Sequence, residues 1–94
     1  MSQIAFSWDP VKADINVRKH GVAFDEATSV FRNPLARVLP DPTSPKGEDR
    51  AIIVGHSEQG RLLLVVFTER DGRLRIISAR PVSRRERREY EEHS

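Results

Sequence analysis

The sequence predicts an α+β domain in which short helices come first, an antiparallel sheet of about four strands follows, and a short C-terminal helix closes the chain. Three observations predict it. Helix punctuation frames the residues near the start, with Asp9-Pro10 on one side and Gly21 on the other. The second half holds three runs rich in aliphatic and β-branched residues, at 51–56, 62–68 and 74–82, parted by short turn signals. Beyond them Ser83 is followed by Glu86, the spacing of a capping box.

Taken in order, residues 3–8 (QIAFSW) suit an edge strand. Asp9 then supplies a side-chain acceptor at the helix start, and Pro10 gives up a donor that would have had no partner. Val11, Ile15 and Arg18 share one face of the helix, with Val17 nearby. Gly21 ends it just after Arg18, Lys19 and His20, which sit at the negative end of the helix dipole. Trp8, directly before the cap, reads as a packing staple.

A second short helix is expected from Asp25, with Ala27, Val30 and Phe31 as its apolar side and Asn33-Pro34 as its stop. Residues 35–39 (LARVL) form a possible strand, and 40–49 (PDPTSPKGED) form a turn-rich loop. Residues 51–56 are a strand, Glu58-Gln59-Gly60 a turn, and 62–68 (LLLVVFT) a central strand covered on both faces. Asp71-Gly72 is a two-residue hairpin signal of the primed type.

The chain has 94 residues, 37% of them hydrophobic and 32% charged, enough for one domain spanning 1–94 with a single core. There is no cysteine, which excludes disulfides, thiolate nucleophiles and cysteine metal sites. The opening residues hold no signal-peptide core, and no run approaches the roughly 20 apolar residues of a membrane span. A soluble cytoplasmic protein is expected.

The net charge is only +2, but it is uneven. Of 16 basic residues, eight fall in the last 25 positions: Arg70, Arg73, Arg75, Arg80, Arg84, Arg85, Arg87 and Arg88. Guanidinium is planar, permanently charged and multidentate, which suits phosphate oxygens. Concentrated on one hairpin and the helix after it, these arginines point to a grip on nucleic-acid backbone.

Each candidate also has a plain reading. Arg75 is either a phosphate ligand or a solvated strand residue with a carboxylate partner. Arg84, Arg85, Arg87 and Arg88 alternate with Glu86, Glu89, Glu91 and Glu92, the pattern of a salt-bridged helix surface. His20 is a proton carrier or a helix cap. Glu69 is a base or the cross-hairpin partner of Arg73. In an unbroken strand Arg75 and Arg80 face opposite sides, so a shared site needs a bulge or other irregularity, which Pro81 suggests near Arg80. The three histidines have no metal-ligand spacing, and no phosphate-binding glycine loop is present. No cofactor is expected.

Nearly the whole chain resembles the BrnT toxins of type II toxin–antitoxin systems. The matching pieces are FSWDPVKADINVRKHGVAFDEATSVF (6–31), the DP-rich loop before Arg50, GRLLLVVFTER (60–70) and RIISARPVSRRERREYE (75–91). The resemblance implies a RelE-like fold, with the N-terminal helices packed on one face of the sheet and an open basic face for RNA. It implies a metal-independent endoribonuclease that blocks translation, acting on RNA free or on the ribosome. It also implies a hetero-oligomer with a BrnA-like antitoxin, whose ribbon-helix-helix domain alone contacts operator DNA. Carried onto this sequence, Arg75, Arg80, Lys19, His20 and Glu69 take catalytic positions. Arg61, Arg73, Arg84 and Arg85 take RNA-binding positions. Arg61, Arg75 and Arg80 are expected to converge into one cradle. Two other classes stay open: a non-enzymatic nucleic-acid-binding or regulatory module, and an interaction protein whose basic face receives an acidic partner.

Overall fold

A computed structural model of the chain describes residues 4–93. The strands are β1 (Phe6–Ser7), β2 (Arg37–Pro40), β3 (Arg50–His56), β4 (Leu62–Arg70) and β5 (Arg73–Pro81). The helices are α1 (Pro10–His20), α2 (Phe24–Ser29), which runs on into a 3-10 turn at Val30–Arg32, and α3 (Arg84–Glu92). The sheet order is β1-β5-β4-β3-β2. It is therefore five-stranded and mixed rather than four-stranded and antiparallel, because β1 joins β5 in parallel at Phe6–Leu74 and Ser7–Arg75. A parallel neighbour needs a long connection, and the pairing crosses most of the chain, beyond the reach of local pattern.

β4 takes the central position its composition demands. Leu63, Val65 and Phe67 pack into one cluster with Val22, Phe24, Ala27, Val30, Ile53, Ile76 and Ala79. Leu62, Leu64 and Val66 pack into another with Val54 and Tyr90. One strand thus supplies both cores, each face taking alternate residues. α1 and α2 cover the first face. The second face is not fully open, since α3 lies across it through Tyr90, whose hydroxyl donates to the Leu35 carbonyl (2.9 Å).

The caps behave as the sequence requires. The Asp9 carboxylate accepts from the Val11 amide (2.9 Å), and Gly21 adopts φ 69° at the end of α1. The Ser83 hydroxyl and Glu86 carboxylate form the reciprocal capping box. Asp71 (φ 55°) and Gly72 (φ 73°) turn the β4–β5 hairpin. Trp8 packs edge-on against Phe24 at 6.0 Å. Gly55 has no room for a side chain: a Cβ there would stand 2.7 Å from the Ala36 Cβ.

α1 does not present its apolar side to the sheet. Val11, Ile15 and Val17 are 67%, 50% and 47% exposed. The face turned inward carries Ala13, Asn16 and His20 instead. The reason lies at the edge of β5. β1 covers only Leu74 and Arg75, which leaves the strand beyond them without a partner strand. Asn16 fills that role. Its Nδ2 donates to the carbonyls of Ala79 (2.8 Å) and Val22 (2.9 Å), and its Oδ1 accepts from the Ala79 amide (3.2 Å). A buried backbone group without a partner is costly, so a helix carrying this amide outcompetes one docked by its aliphatic side.

Replacing Asn16 with Leu, branched at the same atom but unable to hydrogen-bond, strands the Ala79 N–H and C=O and should lower unfolding free energy by about 2–4 kcal/mol. Urea denaturation measures it, and an unchanged midpoint would show that the side chain is not needed to satisfy this edge.

Candidate nucleic-acid interface

Along β5, the pairing with β4 advances one residue at Val66/Phe67 while β5 advances two, from Ser78 to Ile76. Ile77 is the extra residue of a β-bulge, and it reverses the facing of what lies on either side. Ile76 and Ala79, three apart, consequently enter the same core cluster. Ser78 and Arg80 pair with Val66 and Leu64, while Arg75 and Arg73 pair with Thr68 and Arg70. Directly opposed residues share a face. Arg73, Arg75, Ser78 and Arg80 therefore all lie on the second face, the one bearing α3. The irregularity needed to bring Arg75 and Arg80 to one side exists, at Ile77 rather than near Pro81.

That face carries a row of side chains across four strands: Arg50, Thr68, Arg75 and Ser7. Beyond it, toward the hairpin turn, Arg70 stands opposite Arg73. The Thr68 hydroxyl donates to the Asp49 carbonyl (2.8 Å) and ties the start of β3 to the row. Arg50 pairs with Glu48 at 3.1 Å. Among the described residues, Arg70, Arg73 and Arg75 form no ion pair, whereas Arg18, Arg32, Arg50, Arg61, Arg80 and Arg85 each hold a carboxylate.

Arg80 sits four β4 residues from Arg75, about 13 Å along the strand. Both its Nη atoms donate to the Glu86 carboxylate, at 2.7 and 2.8 Å, and Nη1 reaches the Pro81 carbonyl. The same carboxylate accepts from the Ser83 amide (2.8 Å). One bidentate pair thus fastens the first turn of α3 to the end of β5. The Arg80 guanidinium holds the Glu86 carboxyl down at about 2, with burial opposing and the Ser83 amide helping, and the Arg80 pKa is raised in return.

Arg61 is occupied in the same way on the other side of the molecule. It pairs with Glu26, which is 4% exposed and also accepts from the Ser57 hydroxyl (2.7 Å). Its Nη2 donates to the Gly21 carbonyl at 3.1 Å. The Arg61 hydrogen bonds outweigh burial and lower the Glu26 pKa. Arg61 therefore braces the loop just after Lys19 and His20. The expected convergence of Arg61, Arg75 and Arg80 does not occur: two of the three are bound to carboxylates of their own, and Arg61 sits with the helices of the first face.

The other candidates divide accordingly. His20 is half-buried one turn beyond Asn16, at the end of α1, and Lys19 is exposed beside it. Glu69 is exposed and stands opposite Leu74, so it faces away from Arg75 and makes no cross-hairpin pair with Arg73. Arg84 and Arg85 lie exposed at the start of α3, with Arg85 paired to Glu89 at 3.3 Å. Arg37, which donates to the His93 carbonyl (2.9 Å), completes the frame around an apolar groove of about 380 Å³ beside Tyr90. Asn16, Glu26 and Arg50 were not among the sequence candidates, and Arg70 entered only as one of the eight clustered arginines. For Asn16 a signal existed, since an asparagine inside a helix competes with the backbone and needs an outside partner.

The Arg80–Glu86 pair has a pH signature. Glu86 titrates lower in the folded chain than its ordinary 4.5, so its contribution is full above that value and is lost as pH falls toward about 2. Glu86→Gln should remove a stability term of order 1–3 kcal/mol at neutral pH and flatten the acid limb between those values. Urea titrations of both proteins at several pH values test this, and parallel acid limbs would refute it.

Two of the stretches that carry the resemblance, 6–31 and 75–91, meet through Asn16 and the backbone of Ala79. Residues 8–86 match the family described as "Ribonuclease toxin, BrnT, of type II toxin-antitoxin system". Among solved structures, the fold matches the crystal structure of the Brucella abortus ribonuclease toxin BrnT with a TM-score of 0.68 and 25% sequence identity, over 87% of this chain and 100% of that one. No curated protein matches. The chain belongs to the BrnT family of ribonuclease toxins of type II toxin–antitoxin systems.

Proposed function

We propose that this chain is a metal-independent endoribonuclease that acts in the cytoplasm, blocks translation by cutting RNA, and uses the second sheet face as its RNA surface. The observation that carries the reading is the bulge at Ile77, which puts Arg73, Arg75 and Ser78 on one side with no carboxylate holding either arginine. Arg75 is half-buried in the middle of the row between Thr68 and Ser7, the position best fixed by its neighbours.

In the proposed reaction the substrate's own 2′-hydroxyl attacks the adjacent phosphorus. The bond to the 5′-oxygen breaks, leaving a 2′,3′-cyclic phosphate and a 5′-hydroxyl. Arg75 stabilises the charge that gathers on the phosphoryl oxygens, an electrostatic role that needs prior alignment. Lys19 and His20 end α1, which covers the first face, so like Glu69 they stand away from the phosphate held by Arg75, and the proton transfer is left without a named carrier. Arg80 is proposed to act at one remove, through its hold on α3. Glu69 lies on the opposite side from Arg75, which argues against it as a base for the same phosphate. Arg84 and Arg85 would meet the RNA strand where it passes α3.

Family membership in a type II system implies an antitoxin partner. We propose a BrnA-like protein with a ribbon-helix-helix domain that covers the arginine face, where charge complementarity would guide it. Arg75→Ala should cut RNA roughly 10² to 10³ times more slowly while unfolding like the wild type. Activity of the wild type should survive EDTA, with products ending in cyclic phosphate. Growth arrest on induction of Arg75→Ala, or loss of cleavage on chelation, would overturn the mechanism.

A further inference from the structure

Arg70 and Arg73 are directly opposed across the hairpin, in the register where Cβ atoms are about 5 Å apart. Like charges so placed destabilise a strand pair. Arg75 lies diagonally across from Arg70, one row inward, and adds a third positive charge. Among the described residues no ion pair holds any of the three, although Glu48 and Asp49 line the same small polar pocket as Arg70. Glu48 is already engaged by Arg50, and Glu69 alternates to the opposite side. The hairpin thus sorts its charges, with the carboxylate of Glu69 on one face and three guanidiniums on the other. Six other arginines are seen in ion pairs with carboxylates; what sets Arg70, Arg73 and Arg75 apart is that they gather on one strand face.

We infer that Arg70 and Arg73 form a clamp for the RNA backbone, gripping the phosphate next to the one held by Arg75. The inference rests on the proposed ribonuclease reading and extends it to substrate binding. Two adjacent rows on one strand face are about 7 Å apart, a step that neighbouring phosphates of an extended single strand can take. Two forks facing each other across a pair of strands present donors from both sides of one phosphate, which a lone arginine does not. The unfavourable opposition in the free protein is relieved when the anion arrives, so the clamp reads charge and spacing rather than base.

The test uses a single-stranded RNA oligonucleotide whose 2′-hydroxyls are methylated, so that it binds without being cut. Against wild type, Arg70→Gln and Arg73→Gln should each weaken binding roughly tenfold near 0.1 M salt. Each should reduce the slope of log K against log salt by about 0.7. With cleavable RNA the loss should fall on KM. Both residues are exposed, so the folded state is expected to survive, and the unfolding midpoint confirms it. Unchanged affinity and slope in both variants, with wild type binding and cutting normally, would overturn the clamp alone. Loss of kcat at unchanged KM would also overturn it, by placing the pair at the reacting phosphate. Failure of wild type itself to bind or cut any RNA would instead reject the ribonuclease reading on which the inference stands.

Discussion

Alternation along a strand is strict, so a single additional residue reassigns every side chain on one side of it. Ile77 is that residue in β5. Without it, Ile76 and Ala79 could not both enter the core against the N-terminal helices. Nor could Arg75 and Arg80 share the opposite face. The apolar requirement of one side and the charged character of the other are satisfied by one local irregularity. The core cluster holds the bulge in place, because regular pairing would swing a buried aliphatic into solvent and an arginine into the interior.

The arginines then separate by task. Arg61 and Arg80 are structural, each closing a contact between distant segments: Arg61 joins β4 to α2 and the end of α1, and Arg80 joins β5 to α3. Both engage their carboxylates through two nitrogens, a geometry lysine cannot reproduce. Among the described residues, Arg70, Arg73 and Arg75 form no ion pair. Identical side chains thus meet different surroundings according to whether a carboxylate stands within reach.

Local elements were legible in the residues. Both helix caps of α1, the capping box of α3, the primed hairpin turn and the doubly buried β4 follow from short-range chemistry and appear where the sequence places them. What escaped was long-range. The parallel pairing of β1 with β5 joins segments nearly seventy residues apart. The inward turn of α1 depends on an edge that exists only once the sheet is assembled, so the spacing of Val11 and Ile15 pointed the wrong way. For the candidate site, arginine density pointed to the β4–β5 hairpin but not to the partners, since Glu26 and Glu86 reach their arginines only through the fold. That Arg70, Arg73 and Arg75 share one face, apart from Glu69, required the register.

The segregation of charge by sheet face bears on how the molecule behaves in a test tube. A formal excess of two positive charges suggests weak interaction with ion-exchange resins. A surface that gathers Arg70, Arg73 and Arg75 on one strand face instead has a locally positive potential, and that potential rather than the sum governs adsorption. Such a protein holds to a phosphocellulose or heparin column well beyond what its titration curve suggests. It also carries cellular polyanions through purification unless they are stripped at high ionic strength.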